Sequence, residues 1–123
     1  MSDIWKCWEP KKKLKNKYYV DSIKDEESFM MELSNEDETE KILLKWDGCV
    51  VSYTCSEESA RSILYDKQEL TKWTFFKVEN SSYLKWIEEQ SLGIEQRNKL
   101  THYCIIGINS VVDIIASYEP EVY

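Results

Sequence analysis

Two β-prone runs flank an Asp-Gly pair near the middle of the chain, and no other local feature limits the fold as strongly. Lys41-Ile42-Leu43-Leu44-Lys45-Trp46 precedes Asp47-Gly48, and Cys49-Val50-Val51-Ser52-Tyr53-Thr54-Cys55 follows it. An Asp-Gly pair accepts the positive φ angles of a tight two-residue turn, so the spacing predicts a β-hairpin. Alternation puts Ile42, Leu44 and Trp46 on one face of the first strand. Cys49, Val51, Tyr53 and Cys55 share a face of the second, with Ser52 and Thr54 toward water.

The flanking sequence repeats the β signal. Tyr18, Tyr19, Val20 and Ile23 read as a short strand, and residues 28–33 read better as a strand than as a short helix. Residues 34–39 are polar and acidic, hence a loop. Residues 73–78 and 100–108 are strands by composition. Residues 111–116, apolar on both sides of Asp113, fit a strand buried on both faces or the start of a helix; the β-branched neighbours favour the strand. Residues 57–64 suit a helical turn or two. Asn80 is placed to cap an amphipathic helix carrying Tyr83, Leu84, Trp86 and Ile87, which Leu92-Gly93 would stop. The expectation is an α+β fold: a mostly antiparallel sheet of five or six strands with one main helix packed on one face.

A chain of 123 residues with 42% hydrophobic content suits one domain with its own core. Residues 1–24 read as an irregular aromatic and basic arm, with Trp5 and Trp8 packed on a single α+β domain over residues 25–123. The first residues lack the apolar stretch of a secretory signal, and no window is long enough to cross a membrane. A cytoplasmic location is expected, where thiols stay reduced.

Charge is unevenly placed. Residues 25–40 hold eight acids (among them Glu36, Asp37, Glu38 and Glu40) and no Lys or Arg, while the rest of the chain has 16 basic and 15 acidic residues. Lys11, Lys12, Lys13, Lys15 and Lys17 precede this block. A net charge of −7 argues against direct nucleic-acid binding and against anionic membranes, both of which need positive charge facing phosphate. The two charge blocks either face each other, solvate a surface, or offer the acids to a basic partner protein.

Chemistry has few handles. Cys7, Cys49, Cys55 and Cys104 show no paired metal-ligand spacing, and His102 is the single histidine, so neither a metal nor another cofactor is expected. Cys49 and Cys55 on one strand would lie roughly 20 Å apart, too far for a disulfide. His102 and Cys104 would point the same way from one strand but about 7 Å apart, too far for a thiolate–imidazole pair. His102 therefore reads as a partly exposed residue at a strand start. Asp113 is read as alternating to the solvent face, the other option being a buried, hydrogen-bonded anchor or an acid of raised pKa. His102, Cys104 and Asp113 are the weak catalytic candidates, and no catalytic assignment is made. The three glycines match no phosphate-binding or nucleophile-elbow pattern.

Trp46, Trp73, Phe75, Phe76, Tyr83 and Trp86 fall in expected elements and read mostly as core. Tyr65 and other aromatics outside those elements suit an interface, where Trp and Tyr are enriched. In size, acidity and want of a catalytic signature the chain is similar to the small immunity and antitoxin proteins of bacterial toxin systems. That resemblance implies a protein-binding inhibitor that docks on a basic partner. The acidic block itself points to Glu36, Asp37, Glu38 and Glu40 as the docking residues, with Tyr65 as an aromatic anchor. A small enzyme using a Cys or a carboxylate with His102 is the alternative. A homo-oligomeric scaffold, such as a homodimer, is the third reading.

Overall fold

A computed structural model describes residues 2–48, 50–93 and 99–123. Among the described residues, nine strands form two antiparallel sheets. The strands are β1 (Ile4–Cys7), β2 (Tyr18–Asp25), β3 (Phe29–Asn35), β4 (Lys41–Trp46), β5 (Ser52–Glu57), β6 (Phe75–Glu79), β7 (Thr101–Ile106), β8 (Ser110–Ala116) and β9 (Glu121–Val122). The larger sheet runs β1-β6-β7-β8-β5 and the smaller β2-β3-β4-β9. A 3₁₀ turn (Glu58–Arg61) leads into α1 (Ser62–Tyr65) and α2 (Gln68–Thr71), and α3 (Ser82–Gln90) follows β6. The α+β class holds, with a second sheet added behind the first.

The core between the sheets follows from period-two alternation. Phe29, Met31, Leu33, Ile42, Leu44 and Trp46 come from the small sheet, and they meet Phe75, Tyr103, Ile105, Val112 and Ile114 of the large one. The β3 and β4 faces are those expected from the sequence. Residues 111–116 form a strand buried on both faces. Its second face packs with Phe76, Cys104 and Ile106 beneath Leu64 and Leu70 of the helical segments. In β2 the alternation slips at Asp21, where a bulge resets the register and turns both Val20 and Ile23 toward Leu33 and Met31. Asn109 locks this bulge: its amide bonds Val20 N–H and Val20 O at 2.9 and 3.0 Å, tying the β7–β8 turn to the other sheet.

The expected hairpin does not form. Gly48 has φ of 82°, as an Asp-Gly turn requires, yet β4 pairs with β3 and β9 while β5 pairs with β8. Both edges of β4 are therefore taken, and the turn carries the chain from one sheet to the other. Cys49, placed by the sequence on the second hairpin strand, lies outside the described residues. Ser52, Tyr53, Thr54 and Cys55 are all at least partly exposed, because β5 is an edge strand. The expected irregular stretch at the start of the chain also contains an element: Ile4–Cys7 pairs with β6.

Candidate functional site

The outer face of the large sheet holds a linear cluster of four polar side chains. His102 on β7 and Asp113 on β8 are diagonal neighbours, since the register pairs His102 with Ile115 and Cys104 with Asp113. Their side chains meet, His102 Nε2 to Asp113 Oδ1, at 2.7 Å. Arg61 closes one end, donating from Nη1 to Asp113 Oδ2 at 2.7 Å. Ser81 closes the other, its Oγ lying 2.7 Å from His102 Nδ1. The helical segments supply both end residues and the strands supply the middle pair.

Ser81 is where it is because it caps α3. Its Oγ accepts from Leu84 N–H at 3.0 Å, so it, and not the expected Asn80, is the N-cap. Asn80 sits just outside with φ of 54°. The helix stop is as expected. Leu92 (φ 55°) and Gly93 (φ 79°) both take the left-handed region, and Gly93 N–H reaches back to Glu88 O.

Both sequence expectations for the middle pair are overturned. His102 is 3% exposed and Asp113 is 4% exposed. With β8 covered on both faces, Asp113 has no solvent side to alternate to, so it must be buried with partners. Burial alone pushes its carboxyl up, but hydrogen bonds and charge from His102 and Arg61 outweigh that and hold it below its ordinary value. An ionised Asp113 only accepts, so His102 Nε2–H donates to it; in the neutral imidazole, Nδ1 then accepts from the Ser81 hydroxyl. The Tyr83 ring stands edge-on to His102, centroids 5.5 Å apart, and its hydroxyl meets Ser52 Oγ at 2.5 Å.

Ser, His and Asp in hydrogen-bonded order are the residue types of a nucleophilic relay. Here the serine oxygen is already committed to Leu84 N–H, and Ser81 is 5% exposed. A cavity of about 530 Å³ and another of about 400 Å³ open elsewhere; Arg61 lines the second, while Ser81, His102 and Asp113 line neither. Cys104 is buried beside Asp113, and burial followed by that carboxylate pushes its thiol well up, away from the thiolate a nucleophile needs. The cluster as built joins α3 and the 3₁₀ turn to the sheet. Among the described residues, no group of three or more His, Cys, Asp or Glu is placed to hold a metal ion.

The acidic candidates lie on the opposite sheet, in the loop between β3 and β4. Asn35 organises it: Nδ2 donates to Asp37 Oδ1 (2.7 Å) and Thr39 Oγ1 (2.9 Å), while Oδ1 accepts from Glu40 N–H (2.8 Å). Glu36, Asp37 and Glu38 are exposed, and among the described residues none of them is in an ion pair. Glu40 is half-buried and accepts from the Tyr18 hydroxyl at 2.9 Å. Burial and that partnership push Tyr18 up to about 12.

The basic run meets this loop across one groove of about 530 Å³, with Lys15 and Lys17 on one side and Glu36 and Asp37 on the other. Lys17 is turned inward, donating to Trp73 O (3.0 Å) and Ile106 O (2.7 Å), and burial lowers it to about 8. Tyr65, the aromatic docking candidate, stands on the other side of the large sheet with its hydroxyl on Gly107 O at 2.5 Å. Trp86, expected in the core, is 52% exposed on α3.

Sequence reasoning did not single out Ser81 or Arg61. One signal pointed to them: a strand buried on both faces and containing Asp113 demands a buried cation or donor for it. Comparison with protein-family models, with curated proteins and with solved structures finds no match. No helix among the described residues is long and apolar enough to cross a membrane.

Proposed function

We propose that this chain is a protein-binding domain that docks on a basic partner through the β3–β4 loop, as an immunity- or antitoxin-type inhibitor does, in the cytoplasm of a bacterium. The observation that carries the reading is the state of Glu36, Asp37 and Glu38. They are exposed, outside any ion pair among the described residues, and mounted on a loop braced by Asn35. Exposed charge outside ion pairs on a braced loop speeds encounter with an oppositely charged surface and makes association sensitive to salt. Glu40 and Tyr65 are held by Tyr18 and Gly107, so the docking set narrows to the three exposed acids. The inward-facing Ser81–His102–Asp113 chain gives the enzyme reading no approach for a substrate.

The test is an affinity pull-down of the tagged protein from its native cell at low and high salt, with the captured protein identified by mass spectrometry. A single stoichiometric basic partner, lost at high salt, is expected. Capture of an acidic protein, or capture indifferent to salt, contradicts the reading. Self-association has one feature behind it: β5 is an edge strand whose sequence, Ser-Tyr-Thr-Cys-Ser-Glu, lacks the Lys or Pro that commonly guards an edge. A size measurement in solution separates a dimer from the monomer.

A further inference from the structure

We propose that the cavity between β1 and the 3₁₀–α1 segment binds a free amino acid with an apolar side chain, held as its zwitterion. The cavity measures about 400 Å³, a volume in the range of small-molecule sites. Its lining brings together one cation, Arg61, one carboxylate, Asp3, and the apolar surfaces of Trp5, Ile63 and Leu64.

Each charged group has capacity left. Arg61 commits Nη1 to Asp113, and a guanidinium carries five N–H donors in a planar fork. Among the described residues Arg61 makes no second hydrogen bond, and its side chain is 29% exposed, so a carboxylate can reach the remaining donors. Asp3 Oδ1 and Oδ2 accept from Ser82 N–H and Ser82 Oγ–H, at 2.8 and 3.2 Å. Those bonds orient the Asp3 carboxylate and leave each oxygen a lone pair for an ammonium group.

The apolar side of the lining is graded. Leu64 is 5% exposed and belongs to the packed layer under α1, whereas Ile63 is 78% exposed. A ligand side chain laid against Trp5 would cover Ile63 and remove that apolar surface from water. A ligand lacking either charged end leaves the remaining Arg61 donors or Asp3 lone pairs desolvated and unfilled, so both ends are needed. This site is separate from the β3–β4 loop and does not depend on the docking reading.

Calorimetric titration with L-phenylalanine, hydrocinnamate (no ammonium) and phenethylamine (no carboxylate) tests the assignment. L-phenylalanine is expected to bind at millimolar concentration, and each truncated analogue about tenfold more weakly or worse. Asp3→Asn should bring L-phenylalanine down to the level of hydrocinnamate. Ala60→Trp, at an exposed position lining the cavity, should fill it and abolish binding while circular dichroism shows the fold intact. Absence of L-phenylalanine binding, equal affinity for hydrocinnamate, or unchanged binding by the folded Ala60→Trp protein each overturns the proposal.

Discussion

His102 Nε2 and Asp113 Oδ1 lie 2.7 Å apart across the β7–β8 pair, with both side chains almost fully buried. Ser81 extends this contact to α3 and Arg61 extends it to the 3₁₀ turn. The helix gains from it because no residue of α3 is itself buried. A helix that buries little apolar surface depends on its cap and its polar anchors.

Replacing Asp113 should therefore be costly. Asp113→Asn removes the charge that Arg61 and His102 face, and breaking a buried pair costs about 3–5 kcal/mol. The carboxyl is held below its ordinary value in the folded chain, so its contribution is present above the unfolded value near about 4. It is lost as pH falls through the lower folded value. Denaturant titrations between pH 7 and 2.5 should show the gap between wild type and Asp113→Asn narrowing in acid; a gap independent of pH contradicts the assignment.

Lys17 shifts stability in the same sense, but at high pH. Its amine is lowered to about 8 in the fold, against 10.5 unfolded. Between those values the unfolded chain binds more protons, so stability from this group rises with pH across the window. Relative to Lys17→Met, the wild type should gain denaturation midpoint between pH 7.5 and 9.5. No relative gain would mean that the ammonium is hydrated and not seated on Trp73 O and Ile106 O.

Thiol reactivity should divide by position. Cys7 and Cys55 are exposed and Cys104 is buried, with its thiol pushed well up. Iodoacetamide under native conditions should label Cys7 and Cys55 and spare Cys104 until the protein is unfolded, as peptide mapping would show. Fast labelling of native Cys104 would contradict its burial.

Leu92 occupies a left-handed position at φ 55° and is 91% exposed. A side chain there is strained by roughly 1–2 kcal/mol and gains little by packing. Leu92→Gly removes that strain at a smaller cost in chain entropy, so a gain of up to about 1 kcal/mol is expected by denaturant titration. Destabilisation would show that Leu92 makes a contact stronger than the strain.

The residues that fill the core were legible because alternation is a local property: Ile42, Leu44 and Trp46 face inward as their spacing requires. Pairing was not legible to the same extent. Asp47-Gly48 specifies a turn, but which strands flank β4 depends on β9, a two-residue strand at the far end of the chain. His102 and Asp113 were misplaced because a strand covered on both faces has no solvent side, and alternation then cannot sort its polar residue. Ser81 was missed for Asn80 because both are good caps and only the backbone decides between them. The acidic loop was visible as composition, yet the separation of Glu40 from Glu36, Asp37 and Glu38 rests on Tyr18, distant in sequence.

Glu36, Asp37 and Glu38 are proposed to dock the partner, and the His102 cluster to serve the fold. One paired pull-down tests both roles: Glu36→Lys, Asp37→Lys and Glu38→Lys combined, beside His102→Gln, each confirmed folded and each set against wild type at low salt. Loss of the partner by the triple variant and its retention by His102→Gln are expected. A triple variant that still captures the partner, or a folded His102→Gln protein that loses it, would contradict the account.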